Sequence, residues 1–410
     1  MMLNDQLIIY KNISKDPIVL KCLSFVEDES LIDESEFISD LLILAEKYEL
    51  HGQLFQSLLT YLLAYHENTF TLALERKKDI SVSLKKVVCH DFEYLYHIYH
   101  HDFSSLHSLY NDLFYDFTNS STIINQEIFD LLTNLQIRLS QSTSVEEFYQ
   151  ILYNHYYQYG VGKYGLNKAF RYLNNQIIQI DHIGNNTLEQ LIGYESQKER
   201  LMTNTEAFLK GQKANNVLLY GDSGTGKSSS IKALLNRYYK DGLRMVEVYK
   251  HQFISLPQII NELQNRHYRF IIFMDDLSFE EFEVEYKYLK AVIEGGLEKK
   301  PDNILIYATS NRRHLIKETW NDRNHDQEIN NNDAMQEKLS LVSRFGVQIM
   351  YIHPNKQHYL DIIDALAKSY HLEMPIDQLH ELALQWEIRN GGFSGRTAKQ
   401  FIHMLLSQQS

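Results

Sequence analysis

The spacing of apolar residues along the 410-residue chain changes character near residue 185. Upstream, apolar positions recur at intervals of three and four. From Glu36-Phe37-Ile38 through Ala64-Tyr65-His66 the pattern is broken only by Gly52, so it predicts one long amphipathic helix or two in succession. Further helices are predicted over Leu84–Tyr99, Gln126–Leu139 and Val145–Tyr157, the last opened by Thr143 and Glu146 at capping-box spacing. A helix is also expected over Leu166–Gln176, joined to its predecessor by a hinge at Gly160-Val161-Gly162-Lys163-Tyr164-Gly165. That hexapeptide spells G-x-G-x-x-G, but a dinucleotide site needs a strand before it, and a tyrosine-rich helix stands there instead. With Pro17 as its one proline, the stretch 1–180 reads as an all-helical domain.

Downstream the apolar residues gather into short unbroken runs: Asn216-Val217-Leu218-Leu219-Tyr220, Phe270-Ile271-Ile272-Phe273-Met274, Ile304-Leu305-Ile306-Tyr307-Ala308 and Val347-Gln348-Ile349-Met350-Tyr351. Such runs suit strands buried on both faces of a parallel sheet. A helix-forming stretch, Ser229 to Tyr238, follows the first of them. The residues at the strand ends then carry the chemistry.

Between the first strand and its helix lies Gly221-Asp222-Ser223-Gly224-Thr225-Gly226-Lys227-Ser228, the G-x-x-x-x-G-K-[ST] phosphate loop in its strand-loop-helix setting. Gly221, Gly224 and Gly226 can adopt positive φ and leave no side chain in the way, so backbone N–H groups can wrap a polyphosphate at the helix N-terminus. Lys227 would reach the β- and γ-phosphates, and the Ser228 hydroxyl would hold Mg²⁺. The second strand ends in Asp275-Asp276, whose carboxylates fall in the crevice where the phosphate loop opens. Asp275 is the candidate metal-side acid and Asp276 the candidate for polarising water.

Two more strand ends follow, Thr309-Ser310-Asn311-Arg312-Arg313 after the third run and Ser343-Arg344-Phe345-Gly346 before the fourth, with Ser394-Gly395-Arg396-Thr397-Ala398 near the end. In this order the motifs over residues 185–410 resemble those of the AAA+ ATPases. Their Asp-Asp pair and Ser-Arg-Phe-Gly box look most like the bacterial initiator and helicase-loader branch. More closely, Asp275-Asp276-Leu277-Ser278-Phe279-Glu280, Ala308 to Arg313 and Ser394 to Ala398 resemble a bacterial family of ATP-binding proteins of unknown function, DUF815.

The resemblance implies an α/β P-loop core with a parallel five-stranded sheet flanked by helices over 185–353, a small helical lid over 354–410 and a helical N-terminal domain over 1–180. It makes Ile192-Gly193-Tyr194 the segment against the adenine, Gly221 to Ser229 with Lys227 the nucleotide cradle, and Ser228 with Asp275 the Mg²⁺ site. Asn311 becomes the sensor of the γ-phosphate, Arg344 an arginine finger donated within a homo-oligomer, and Arg396 the lid arginine. The implied reaction is hydrolysis of ATP to ADP and phosphate. One departure stands out. Most AAA+ proteins carry Glu where this chain has Asp276, whose shorter side chain suits slow turnover; Glu280 and Glu281, one turn on, are read as solvated acids on an exposed face that could substitute only if a helix starts near Leu277.

Composition narrows the remaining classes. An apolar fraction of 44% and a charged fraction of 23% are those of a globular protein. No run of about 18 apolar residues occurs, and Met-Met-Leu-Asn-Asp carries no secretory pattern, so a cytoplasmic protein without a membrane partner is expected. A net charge of −13 argues against a broad nucleic-acid surface. Arg76-Lys77-Lys78, Lys299-Lys300 and Arg312-Arg313 are read as solubilising surface. Cys22 and Cys89 are read as reduced core thiols. His97, His100, His101 and Asp102 lack a second cluster to complete a metal site. Tyr153, Tyr156, Tyr157 and Tyr159 are read as a core with its hydroxyls at the edge. The polar run Asn321 to Asp333 is read as a surface loop. Three activities fit: a remodelling ATPase acting on a protein client, a DNA-associated loader, or a nucleotide-gated scaffold with little hydrolysis.

Overall fold

The computed structural model describes residues 7–15, 17–21, 33–119, 125–279, 285–294, 301–312, 315 and 340–409. Cys22, Glu280, Glu281, Lys299, Lys300, Arg313 and the run Asn321 to Asp333 lie outside them. Two compact units divide the chain, Met1–Lys168 and Ala169–Ser410.

In the first unit the long periodic stretch resolves into two helices, α1 (Glu34–Tyr48) and α2 (Leu54–Tyr65). Asp33 caps the first by accepting from the Ser35 and Glu36 N–H groups, and Glu49 ends it in left-handed geometry. Gly52, at φ 71, exchanges backbone hydrogen bonds with Phe117 and so diverts the chain between them. There follow α3 (Thr69–Glu75), α4 (Val82–Tyr99), α5 (Ser108–Tyr115), α6 (Gln126–Ser140), α7 (Val145–Tyr159) and the short α8 (Gly162–Leu166). The cap of α7 is shifted by one residue from the expected Thr143/Glu146 pair: Ser144 accepts from the Glu147 N–H, and the Glu147 carboxylate takes both donors of Thr143.

Phe37, Leu41, Phe55, Leu58, Phe92, Leu95, Phe148 and Leu152 form the centre of this unit. Asp91 on α4 is fully buried there and accepts from three consecutive backbone N–H groups, Ile8, Ile9 and Tyr10, at 2.7 to 3.1 Å. The tyrosines divide. Tyr156 is buried and donates to the Leu63 carbonyl, whereas Tyr157 and Tyr159 are exposed, with the Lys77 ammonium over the Tyr157 ring. Gly160, at φ 79, caps α7 in the G-x-G-x-x-G segment, and no group of three or more metal-ligating side chains occurs among the described residues.

The second unit is built on a seven-stranded sheet of order β2-β1-β4-β5-β6-β3-β7, formed by β1 (Ala169–Leu173), β2 (Gln176–Gln179), β3 (Val217–Gly221), β4 (Leu243–Glu247), β5 (Arg269–Met274), β6 (Ile304–Ser310) and β7 (Val347–Tyr351). The five strands from β4 to β7 are parallel, as expected. The hairpin β1-β2 extends them and overturns the helix expected over Leu166–Gln176. Asn174 and Asn175 stand at φ 49 and 60, the two left-handed residues of a tight hairpin turn, and Asn tolerates that geometry better than most side chains. Because β1 pairs in parallel with β4, residues 169–179 belong to the sheet.

Helices α9 (Glu195–Leu209), α10 (Lys227–Tyr238), α11 (Leu256–Leu263) and α12 (Glu285–Glu294) accompany the sheet. Edge strand β7 is closed on its outer side by α9 and the residue before it: Arg200, Gln197 and Tyr194 donate to the carbonyls of Gln348, Met350 and Ile352 at 3.1, 3.2 and 2.8 Å. The chain finishes in α13 (Lys356–Ser369), α14 (Ile376–Arg389) and α15 (Gly395–Gln409), which share a core of Tyr359, Ile363, Ala383, Phe401 and Ile402. Ile192 packs against that core and so links the three helices to the segment before α9.

Candidate functional site

The β3 strand lies between β6 and β7, where the chain's winding across the sheet reverses, and a crevice opens there beyond the carboxyl ends of the strands. A cavity of about 920 Å³ occupies it. One end is formed by Ser223 to Ser229, Asp275, Asp276, Thr309 and Asn311; the other by Leu191, Ile192, Tyr194, Ile362, Ala365 and Leu366. A polar cradle therefore adjoins an apolar wall.

The cradle follows from its glycines. Gly221, Gly224 and Gly226 have φ of 128, 76 and 93. A Cβ on Gly221 would collide with the Tyr351 backbone, and one on Gly224 would crowd Ser394 and Arg396 at 3.1 to 3.2 Å. Gly226 ends the loop at the start of α10, so the free N–H groups of the first helical turn face the cavity. Gly221 and Asp222 themselves stand behind the cavity, the Asp222 carboxylate accepting from the His353 N–H at 2.7 Å.

Lys227 is 6% exposed, and its ammonium donates to the carbonyls of Gly221 and Asp222 and to Asn311 Oδ1, at 2.9, 2.5 and 3.0 Å. Burial pulls its pKa below the ordinary lysine value against the opposing pull of Asp222, Asp276 and Asp275, and Arg396 lowers it further. Ser228 Oγ donates to Asp275 Oδ1 at 2.5 Å. A hydroxyl beside a carboxylate is a hard-oxygen pair of the kind that suits Mg²⁺, which keeps several of its waters. Asn311, at the end of β6, donates to Asp276 Oδ1 at 2.8 Å. Lys227, Asn311 and Asp276 thus form one continuous chain.

Thr309, which the motif reading left unassigned, sits inside this arrangement. Its hydroxyl donates to Asp275 Oδ1 at 2.6 Å and accepts from the Asp276 N–H at 2.9 Å. Side chains alternate along a strand, so Thr309 shares a face with Asn311 two residues on, and that spacing is the signal that could have singled it out. Lys399 is a second omission. It lines the cavity three residues after Arg396 on α15, the spacing that places two side chains on one helix face.

The remaining candidates separate clearly. Ile192 lines the cavity, and its carbonyl accepts from His358 Nε2 of α13 at 3.0 Å. Gly193, at φ 77, admits the His358 ring where a Cβ would collide with it. Arg396 lines the cavity, and its N–H donates to the Gly224 carbonyl at 3.3 Å. Arg344 does not reach its own cavity. Its guanidinium is 51% exposed and pairs with Glu294 of α12 at 3.2 Å.

Residues 166–409 match the family described as protein of unknown function (DUF815). No functionally curated protein matches the chain. Among solved structures, it is similar to a mutant of RuvB from Thermotoga maritima, with 17% identity over 52% of this chain and 62% of that one, at a TM-score of 0.37. The match therefore spans less than two thirds of that relative. Similarity extends to the RuvB Holliday junction branch migration motor of the same organism, with 15% identity over 54% of this chain and 72% of that one, at a TM-score of 0.33. A DNA replication initiation factor is similar at 20% identity over 54% and 65% of the two chains, with a TM-score of 0.34.

Proposed function

The chain belongs to the DUF815 family, and we propose that its core is of the AAA+ type, binding ATP with Mg²⁺ and hydrolysing the nucleotide to ADP and phosphate to change the conformation of a protein client. The observation that carries this reading is the convergence of Lys227, Ser228, Asp275, Asp276 and Asn311 on one cavity with an apolar wall. The wall suits a purine base and the glycine cradle a triphosphate.

In this reading the N–H groups of Ser223 to Ser229 and the Lys227 ammonium hold the β- and γ-phosphates. Ser228 and Asp275 would hold Mg²⁺, which when bound neutralises charge on the phosphate oxygens. Asp276 and Asn311, already joined by a hydrogen bond, orient the water whose oxygen attacks the γ-phosphorus as the bond to the β-phosphate oxygen breaks. Ile192 and Gly193 lie against the base, and Arg396 brings the lid helices to the phosphates. Arg344, which does not line its own cavity, serves a neighbouring subunit.

Lys227→Ala tests the binding step. Titration calorimetry with Mg·ATP is expected to show affinity reduced by about tenfold or more, since a charge-assisted contact contributes roughly 1.5–3 kcal/mol. Equal affinity in the variant sinks the assignment. A second reading, a nucleotide-gated scaffold, draws support from Asp276 in the place of a longer Glu. Phosphate release measured on the wild-type chain, alone and with DNA, separates scaffold, loader and remodelling ATPase.

A further inference from the structure

Asp276 is a non-glycine residue in left-handed backbone geometry, at φ 51. Asp and Asn visit this region more readily than other side chains, yet it remains unfavourable and persists where neighbours hold it. Here one residue does the holding. The Asp276 N–H donates to Thr309 Oγ1 at 2.9 Å, and the next N–H, that of Leu277, donates to the Thr309 carbonyl at 2.7 Å. Two consecutive amides are thereby turned towards a single residue of β6. Thr309 itself is 2% exposed, which keeps its hydroxyl ordered between the two acids.

A hydroxyl has one proton to give and lone pairs to receive. Thr309 uses the proton on Asp275 Oδ1 and a lone pair on the Asp276 amide, so its orientation is fixed from both sides. The carboxylate that results from this turn meets Asn311 Nδ2 at 2.8 Å. Asp276 therefore reaches the cavity by a backbone turn, where a longer acid would reach it by an extra methylene.

We infer that Thr309 is a positioning residue for hydrolysis: its hydroxyl locks the left-handed turn at Asp276 and so aims that carboxylate at the water site beside Asn311. The inference rests on the ATPase reading and extends it to a residue that makes no contact with the reacting atoms. Removing the hydroxyl frees the Asp276 amide, lets the turn relax and displaces the carboxylate. A displacement near 1 Å lowers turnover on the order of 10- to 100-fold.

The test uses the full chain with Thr309→Val, which keeps the shape and deletes the hydroxyl, and the pair Thr309→Ser and Thr309→Ala, which differ in the hydroxyl alone. Steady-state phosphate release, ATP affinity and Tm are measured for each. Expected are a kcat lowered about 10- to 100-fold in the Val and Ala variants, near-normal ATP affinity, and recovery of most of the rate in Thr309→Ser. Should Thr309→Val fail to fold, the Ser and Ala pair carries the comparison. A lowered Tm with unchanged kcat in the hydroxyl-free variants, or equal rates in Ser and Ala, overturns the positioning role and leaves the ATPase reading standing. Absence of phosphate release from the wild-type chain overturns both.

Discussion

At the scale of single residues, Asp276 explains its own identity. A Glu at φ 51 would carry the same backbone strain with less tolerance for it, because short side chains such as Asp and Asn compensate locally in left-handed geometry. Asp276→Glu is therefore expected to lower kcat and to cost about 0.5–1.5 kcal/mol of stability, read from phosphate release and urea denaturation. A faster Glu variant would mean that reach alone limits the wild type. Asp275, Asp276, Lys227 and Ser228 were legible in the sequence because each motif is local, a strand end or a glycine loop, although Ser228 and Asp275 meet only through the sheet. Thr309 was not, since its partners lie 33 and 34 positions away and only pairing of β5 with β6 brings them together.

At the scale of elements, periodicity located the helices of the first unit because their apolar stripes face one shared core. It failed at 169–179. Ala169-Phe170-Arg171-Tyr172-Leu173 is too short for three-residue and two-residue periods to be told apart, and the deciding signal was the Asn174-Asn175 turn. No apolar pattern announces the Asp91 clamp either, for a lone acid on an amphipathic helix reads as a solvated one. Its three backbone donors make it a structural joint between residues 8–10 and α4. Asp91→Ala would take the buried acceptor away from those amides, of which that of Tyr10 lies in the core. A destabilisation of about 2–4 kcal/mol is expected by chemical denaturation, with ATP affinity unchanged. Stability within about 0.5 kcal/mol of wild type would show that the amides rehydrate freely.

At the scale of the whole molecule, Arg344 supplies a test of assembly. Its guanidinium pairs with Glu294 and does not line its own cavity, so the proposed catalytic role needs a second chain. Arg344→Ala is expected to bind ATP normally and to hydrolyse it on the order of 10³-fold more slowly, the lower end of what an arginine finger contributes. Mixing it with Lys227→Ala should return part of the activity, because some interfaces then unite an intact cradle with an intact arginine. Activity per chain that is independent of concentration and indifferent to Arg344→Ala would contradict this. The sequence marked a change of architecture between residues 180 and 185, and the two compact units divide between Lys168 and Ala169. Residues 169–179 owe their place to β4, a strand more than sixty positions downstream, and local pattern carries no trace of such a partner.

The row of side chains along β7 sets a rule for how this sheet can meet other molecules. An extended peptide arriving on that flank would look for carbonyls at every second residue and find those of Gln348, Met350 and Ile352 already engaged by Arg200, Gln197 and Tyr194. Lengthening of the sheet by an incoming strand is thus blocked where β7 ends it. Docking on that side falls to side chains, and the segment leading into β7 presents Arg344.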